Sequence, residues 1–83
     1  MNMNIEVLYN TPPWDWPENA GNIFLAVLGN RTAPASERLM AAEMAGNPVV
    51  VNDRIAKALL DVLRSGDEPE ELRGMAAIAL GPA

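Results

Sequence analysis

The residues in this 83-residue chain that could do chemistry are its carboxylates, two serines and two tryptophans. Acids stand side by side at Asp67-Glu68 and at Glu70-Glu71. Neighbouring carboxyls are raw material for acid–base catalysis. Here, however, both pairs fall at the start of a helix opening near Pro69, where negative groups complement the positive end of the macrodipole. Ser36 and Ser65 sit in a helix's first turn and at a helix end. With no His and no Cys in the chain, a Ser-His or Cys-His nucleophile pair cannot be built. The same two absences exclude disulfides and remove the usual zinc and iron ligand sets. No G-x-G-x-x-G or Walker loop is present, so nucleotide binding has no motif behind it. These residues indicate a protein that is not an enzyme and carries no cofactor.

The run "NTPPWDWPEN", Asn10 to Asn19, gathers both tryptophans among prolines. Two roles suit it. It can form an aromatic groove or stacking platform for a ligand, or it can be the way the fold begins. The five methionines stand mostly at helical core spacing, with a pliable Met-rich binding surface as the lesser reading.

Composition narrows the class further. A hydrophobic fraction of 49% suits a globular chain, and the length suits one small domain. Net charge is −5, and the six cations are scattered at Arg31, Arg38, Arg54, Lys57, Arg64 and Arg73. A surface for nucleic acid or an anionic membrane needs clustered cations, so neither partner is expected. No apolar run approaches the roughly 18 residues of a membrane span, and the first residues lack the pattern of a signal peptide. A cytoplasmic location is expected.

The elements that must position these residues are helical. Ile23, Phe24, Val27 and Leu28 recur with i, i+4 spacing from about Pro17 to Gly29, and Gly29-Asn30 suits a left-handed cap. A second helix is expected from Pro34 to Ala45, stopped by Gly46-Asn47-Pro48. "PVVV" reads as an extended connector feeding apolar contacts into the core. Asn52 should cap a third helix, Asp53 to Arg64, and a fourth runs from about Pro69 to Leu80. The motif D-x-P-E recurs at Asp15 to Glu18 and Asp67 to Glu70, which suggests a capping box with Pro in the first turn. Thr32 before Pro34 is a weaker version.

Shifted against itself by 35 residues, the chain gives nine identities in the twenty-two pairs from Leu25/Leu60 to Gly46/Gly81. Chance gives about one or two at ordinary residue frequencies. Each unit is a helix, a turn reaching a proline, and a second helix ending in Gly. A helix pair repeated at this period signals an α-solenoid.

The stretch "PEELRGMAAIALGPA" resembles the second helix of a HEAT-like repeat, of the kind named after phycobilisome lyases. Pro69, Leu72, Arg73, Ala76, Ala77, Ala79, Leu80 and Gly81 match that pattern, as do Pro34, Arg38, Ala41, Ala42 and Gly46 in the first unit. Glu37 and Ala45 depart from it. The resemblance implies an all-α fold of about four helices, two helix-pair repeats of an α-α superhelix, and a non-enzymatic protein-interaction or scaffold role. The family name also suggests the alternative of an accessory part of a bilin lyase-like system, with catalysis supplied elsewhere; fold alone does not carry that activity. On this reading residues 1–16 form an extended capping segment, 17–48 the first repeat and 49–83 the second. Arg38 and Arg73, at equivalent positions, are expected to reach acidic groups or helix-end carbonyls of an adjacent unit.

Second helices of such arrays usually line the concave face. The expected contact positions are therefore Ser36, Glu37, Glu43, Glu70, Glu71, Gly74 and Ile78, which would suit a basic protein partner. Solenoids usually need three or more units, so either the array continues past Ala83 or the last helix pair packs on another copy, as in a two-fold dimer. At the other end, Trp16 with Trp14 and Tyr9 is expected to fold over the first helix pair as a cap, with a ligand site as the alternative.

Overall fold

The computed structural model of the chain describes residues 4–81, so expectations for Met1–Met3 and Pro82-Ala83 lie outside the described residues. Helix α1 spans Ile5–Tyr9, a 3₁₀ turn spans Pro13–Asp15, and four longer helices follow: α2 Ala20–Gly29, α3 Ala35–Ala45, α4 Asp53–Arg64 and α5 Glu70–Leu80. No strand occurs among the described residues. The helices form two rows: α2 lies against α4 in one, while α3 lies between α1 and α5 in the other. The rows meet where α2 packs on α3 and α4 packs on α5.

The N-terminal segment is helical where an extended strap was expected. A single turn is unfavourable alone because its end groups lack intrahelical partners. In α1 those groups are met by side chains. Asn4 Oδ1 accepts from the Val7 amide at 2.9 Å, while Asn10 Nδ2 and Thr11 Oγ1 donate to the carbonyls of Glu6 and Val7. The indole N–H of Trp16 donates to the carbonyls of Leu8 and Thr11 at 2.9 and 3.0 Å. Ile5 and Leu8 are thereby held in the core. The Trp16 ring stands edge-on to Phe24, with centroids 5.3 Å apart.

Trp14 does not join this cap. It is 81% exposed, because the 3₁₀ turn places residues two apart on different sides and Trp16 already fills the niche over Phe24. Tyr9 is also exposed, and its hydroxyl donates to Glu43 Oε2 at 2.8 Å.

The helix starts correct a second expectation. Neither D-x-P-E motif forms a capping box, because the residue before a proline is driven out of the α region. Pro34 and Pro69 themselves take the cap position with extended ψ values of 141° and 142°, without a side-chain cap from Thr32 or Asp67. Trp16 is likewise extended before Pro17, so α2 begins only at Ala20 and Asp15 is left in the 3₁₀ turn. Where no proline intervenes the simple rule holds: Asn52 Oδ1 caps α4 through the Ile55 amide at 2.9 Å.

Two chain reversals also differ from their expected form. Gly29 belongs to α2 and Asn30 has φ −95°, so no left-handed cap forms there; Asn30 Oδ1 instead accepts from the amide and hydroxyl of Thr32. Among the described residues only Gly81 has positive φ, at 75°. The "PVVV" segment is a turn, because the Asn47 carbonyl accepts from both Val50 and Val51. Only Val50 packs against the core, and Val49 and Val51 are exposed.

The core is centred on Phe24, Ile5, Leu8, Ile55 and Leu59, all fully buried. Ala41, Ala42 and Ala76 are fully buried too, small residues that let the helices approach closely. The tightest approach is at Gly46, where an added Cβ would lie 2.8 Å from the Cα and carbonyl oxygen of Ala79. Backbone cannot yield there as a flexible side chain would. Gly46→Ala is therefore expected to cost about 1–3 kcal/mol in urea unfolding. Trp16→Ala is expected to cost about 3 kcal/mol, whereas Trp14→Ala should leave the melting temperature nearly unchanged.

Candidate functional site

The four neighbouring carboxylates have separate roles. Pro69 holds Glu68 outside α5, and the side chain turns into the seam between the two helix pairs. Its oxygens accept from Arg38 Nη1 at 2.9 Å and Nη2 at 2.6 Å. Arg38 Nη2 also donates to the Leu28 carbonyl at 2.7 Å, near the end of α2. Both side chains are almost wholly buried. Arg38 Nε is the one buried side-chain polar atom among the described residues without a hydrogen-bond partner. One guanidinium thus joins α2, α3 and the entry to α5. The Arg38 hydrogen bonds hold the Glu68 carboxyl below its ordinary range, against the opposing effect of burial.

Asp67 makes a second link across the same seam. It accepts from the Ser65 hydroxyl and from Arg31, which also donates to Ser65 Oγ at 3.0 Å. The Ser65 and Arg31 hydrogen bonds hold the Asp67 carboxyl down at about 2. This cluster is exposed, so salt screens it and it contributes less than the buried pair. Ser65 is therefore a structural hydroxyl, and Asp67 and Glu68 are committed to arginines. Only Glu70 and Glu71 of the four are exposed without an ion-pair partner among the described residues. No group of three His, Cys, Asp or Glu placed to hold a metal occurs among the described residues.

The seven expected contact positions do not all line one depression. Glu70, Glu71 and Gly74 line a depression of about 900 Å³ between the starts of α3 and α5, with Leu39, Leu72 and Ala35 as apolar walls. Glu43 and Ile78 line a different groove, of about 540 Å³, between the ends of those helices and the N-terminal turn. Ser36 and Glu37 line neither. The second groove was less legible in the sequence, since its other walls include Met44, Met75 and residues of the N-terminal cap such as Pro13 and Trp16. Ile78 there is 73% exposed. No Lys or Arg lines this groove, and the C-terminal ends of α3 and α5 turn their negative poles toward it. Glu43 is fixed at its edge by Tyr9, whose own ionisation the carboxylate pushes up through that hydrogen bond. An apolar floor with a negative rim can take up an aliphatic side chain beside a cation.

The depressed carboxyls set a pH dependence. Glu68 and Asp67 bind protons less readily in the folded chain than in the unfolded one, so stability should be full at neutral pH. It should fall as pH drops through the ordinary carboxylate range toward about 2. Glu68→Gln should lower stability at pH 7, and its difference from the natural chain should shrink steadily below about pH 4. Urea midpoints measured between pH 7 and pH 2.5 check this; a difference constant with pH would show that Glu68 does not act as a carboxylate.

No family model matches the chain, and no curated protein or solved structure matches it.

Proposed function

We propose that the chain is a protein-interaction module of HEAT-like repeat type, with no catalytic chemistry of its own. The repeat reading is supported by the nine identities at a 35-residue shift and by equivalent helices lying side by side, α2 with α4 and α3 with α5. The two helix pairs then act as a short solenoid segment, with α1 beside α3 on the side away from α5.

The observation that carries the functional reading is Ile78. A large aliphatic side chain, 73% exposed, borders an apolar groove whose rim is negative. Isolated exposed aliphatics are common on surfaces, but one set beside a concave apolar floor has the character of an anchor site. The partner that fits is a protein segment carrying an aliphatic residue next to Lys or Arg, in keeping with the net charge of −5. Ligand atoms there would meet Met44, Met75 and Trp16 below, with Glu43 at the edge.

A displayed peptide library selected on the full chain should return sequences pairing aliphatic and basic residues. Ile78→Asp and Glu43→Lys should each weaken the selected peptides by about tenfold or more. Neither should move the melting temperature by more than about 2 °C, since both residues are exposed. Peptides of no consistent charge, or affinities indifferent to both substitutions, would remove the groove from consideration.

A further inference from the structure

The two units differ in burial where their sequences are identical. Leu28 is 2% exposed, but its equivalent Leu63 is 36% exposed. Arg38 is 4% exposed, while Arg73 is only half-buried; Ala42 is fully buried, while Ala77 is exposed. Gly46 is half-buried and Gly81 exposed. The other identities do not show this change. Ala41 and Ala76 are buried in both units, Leu25/Leu60 and Met40/Met75 are half-buried in both, and Pro34 and Pro69 are exposed in both. Val27/Val62 alone runs the other way.

The second unit is what covers the first set. Glu68 pairs with Arg38, and Ala79 abuts Gly46. Ala42 lies one turn from each on the same stripe of α3. Leu28 shares a small depression with Ala58, Val62 and Glu68. On α5 Arg73 and Ala77 repeat that stripe at i, i+4, with Gly81 just past the helix end and Leu63 on α4 in the place of Leu28. Arg73 Nε donates to the Glu68 carbonyl at 3.2 Å, and no described carboxylate lies within ion-pair distance of it. A Cβ on Gly81 would meet nothing within 4 Å.

We infer that this side of α4 and α5 is a docking surface for a helix pair of a partner protein built on the same pattern. Its acidic residue, placed just before the proline that opens its second helix, pairs with Arg73 as Glu68 pairs with Arg38. Its second helix lies over Ala77 and Gly81, as α5 lies over Ala42 and Gly46. A second copy of this chain does not fit. The copy's Glu68 is committed to its own Arg38, and the equivalent position in its first unit is the uncharged Ala33. The inference rests on the repeat reading but uses none of the groove residues Glu43 and Ile78.

A covalent stand-in for the partner tests it. Residues 49–81 appended after Ala83 continue the 35-residue period, which brings the copied Glu68 into register with Arg73. The extended chain is expected to melt in one transition, roughly 10 °C above the natural chain. Amide exchange in α5 should slow by at least about tenfold. Arg73→Gln, or Gln at the copied Glu68, should remove half or more of the gain, while Arg73→Gln shifts the natural chain by less than about 2 °C. Ile78→Asp should leave the gain intact, so this inference and the groove reading fail separately. An appended segment that exchanges like unfolded chain, or a gain indifferent to both polar substitutions, would overturn the inference. So would sedimentation showing a dimer of the natural chain that Ala77→Asp dissociates, because the face would then belong to a second copy; a monomer, or a dimer that survives Ala77→Asp, is the expected result.

Discussion

The buried pair of Arg38 and Glu68 is the interaction on which the relative placement of the two helix pairs depends. Removing two charges from water is costly, and their attraction offsets that cost only with good geometry and further hydrogen bonds. Here two parallel N–H···O contacts form and the Leu28 carbonyl takes another donor, leaving Nε as the one unpartnered nitrogen of the guanidinium group. A methionine–leucine pair of similar volume would pack without that desolvation cost, but it would not fix direction. The guanidinium fork donates to a carboxylate in one planar arrangement, so the pair sets where α5 begins relative to α2 and α3. The Gly46–Ala79 approach lies at the other end of the same two helices. A polar clamp at one end and a steric fit at the other leave α3 and α5 little freedom to slide.

Around that seam the domain is small, and alanines such as Ala41, Ala42 and Ala76 are set among larger buried side chains. Alanine adds little transfer free energy, and its value here is the close helix spacing it permits. The larger contribution comes from Phe24, Ile5, Leu8, Ile55 and Leu59, two of which belong to the one-turn helix α1. Trp16 joins these parts. It completes the hydrogen bonding at the end of α1 and packs its ring on Phe24 of α2. The N-terminal segment is thus a component of the core, and it also forms one wall of the groove beside Ile78.

Much of this was legible in the sequence, and the failures have physical causes. Helix α4 was read to the residue because its cap is Asn52 and its apolar face is wide. Helices α3 and α5 were placed to within one residue because proline and glycine bound them. Helix α1 was missed because one turn has no periodicity to read, and its stability comes from side chains as distant as Trp16. The Asp and Glu spacing of D-x-P-E suggests capping boxes, but the restriction that proline places on its predecessor prevents them. That restriction also frees Glu68 for Arg38, thirty residues away, a pairing that no local motif announces. The positions expected along α3 and α5 include residues of two depressions, one of which is also lined by Tyr9 and Pro13 of the N-terminal segment.

Arg38 and Glu68 act as one unit that locks the two helix pairs together. A double-mutant cycle with Arg38→Met and Glu68→Leu, followed by urea unfolding at pH 7, tests it most directly. Each single change should cost about 3 kcal/mol or more, because it strands a buried charge. The double change should cost far less than their sum, a coupling of at least about 1.5 kcal/mol. Two small, additive losses would contradict the claim and place the lock between the helix pairs elsewhere.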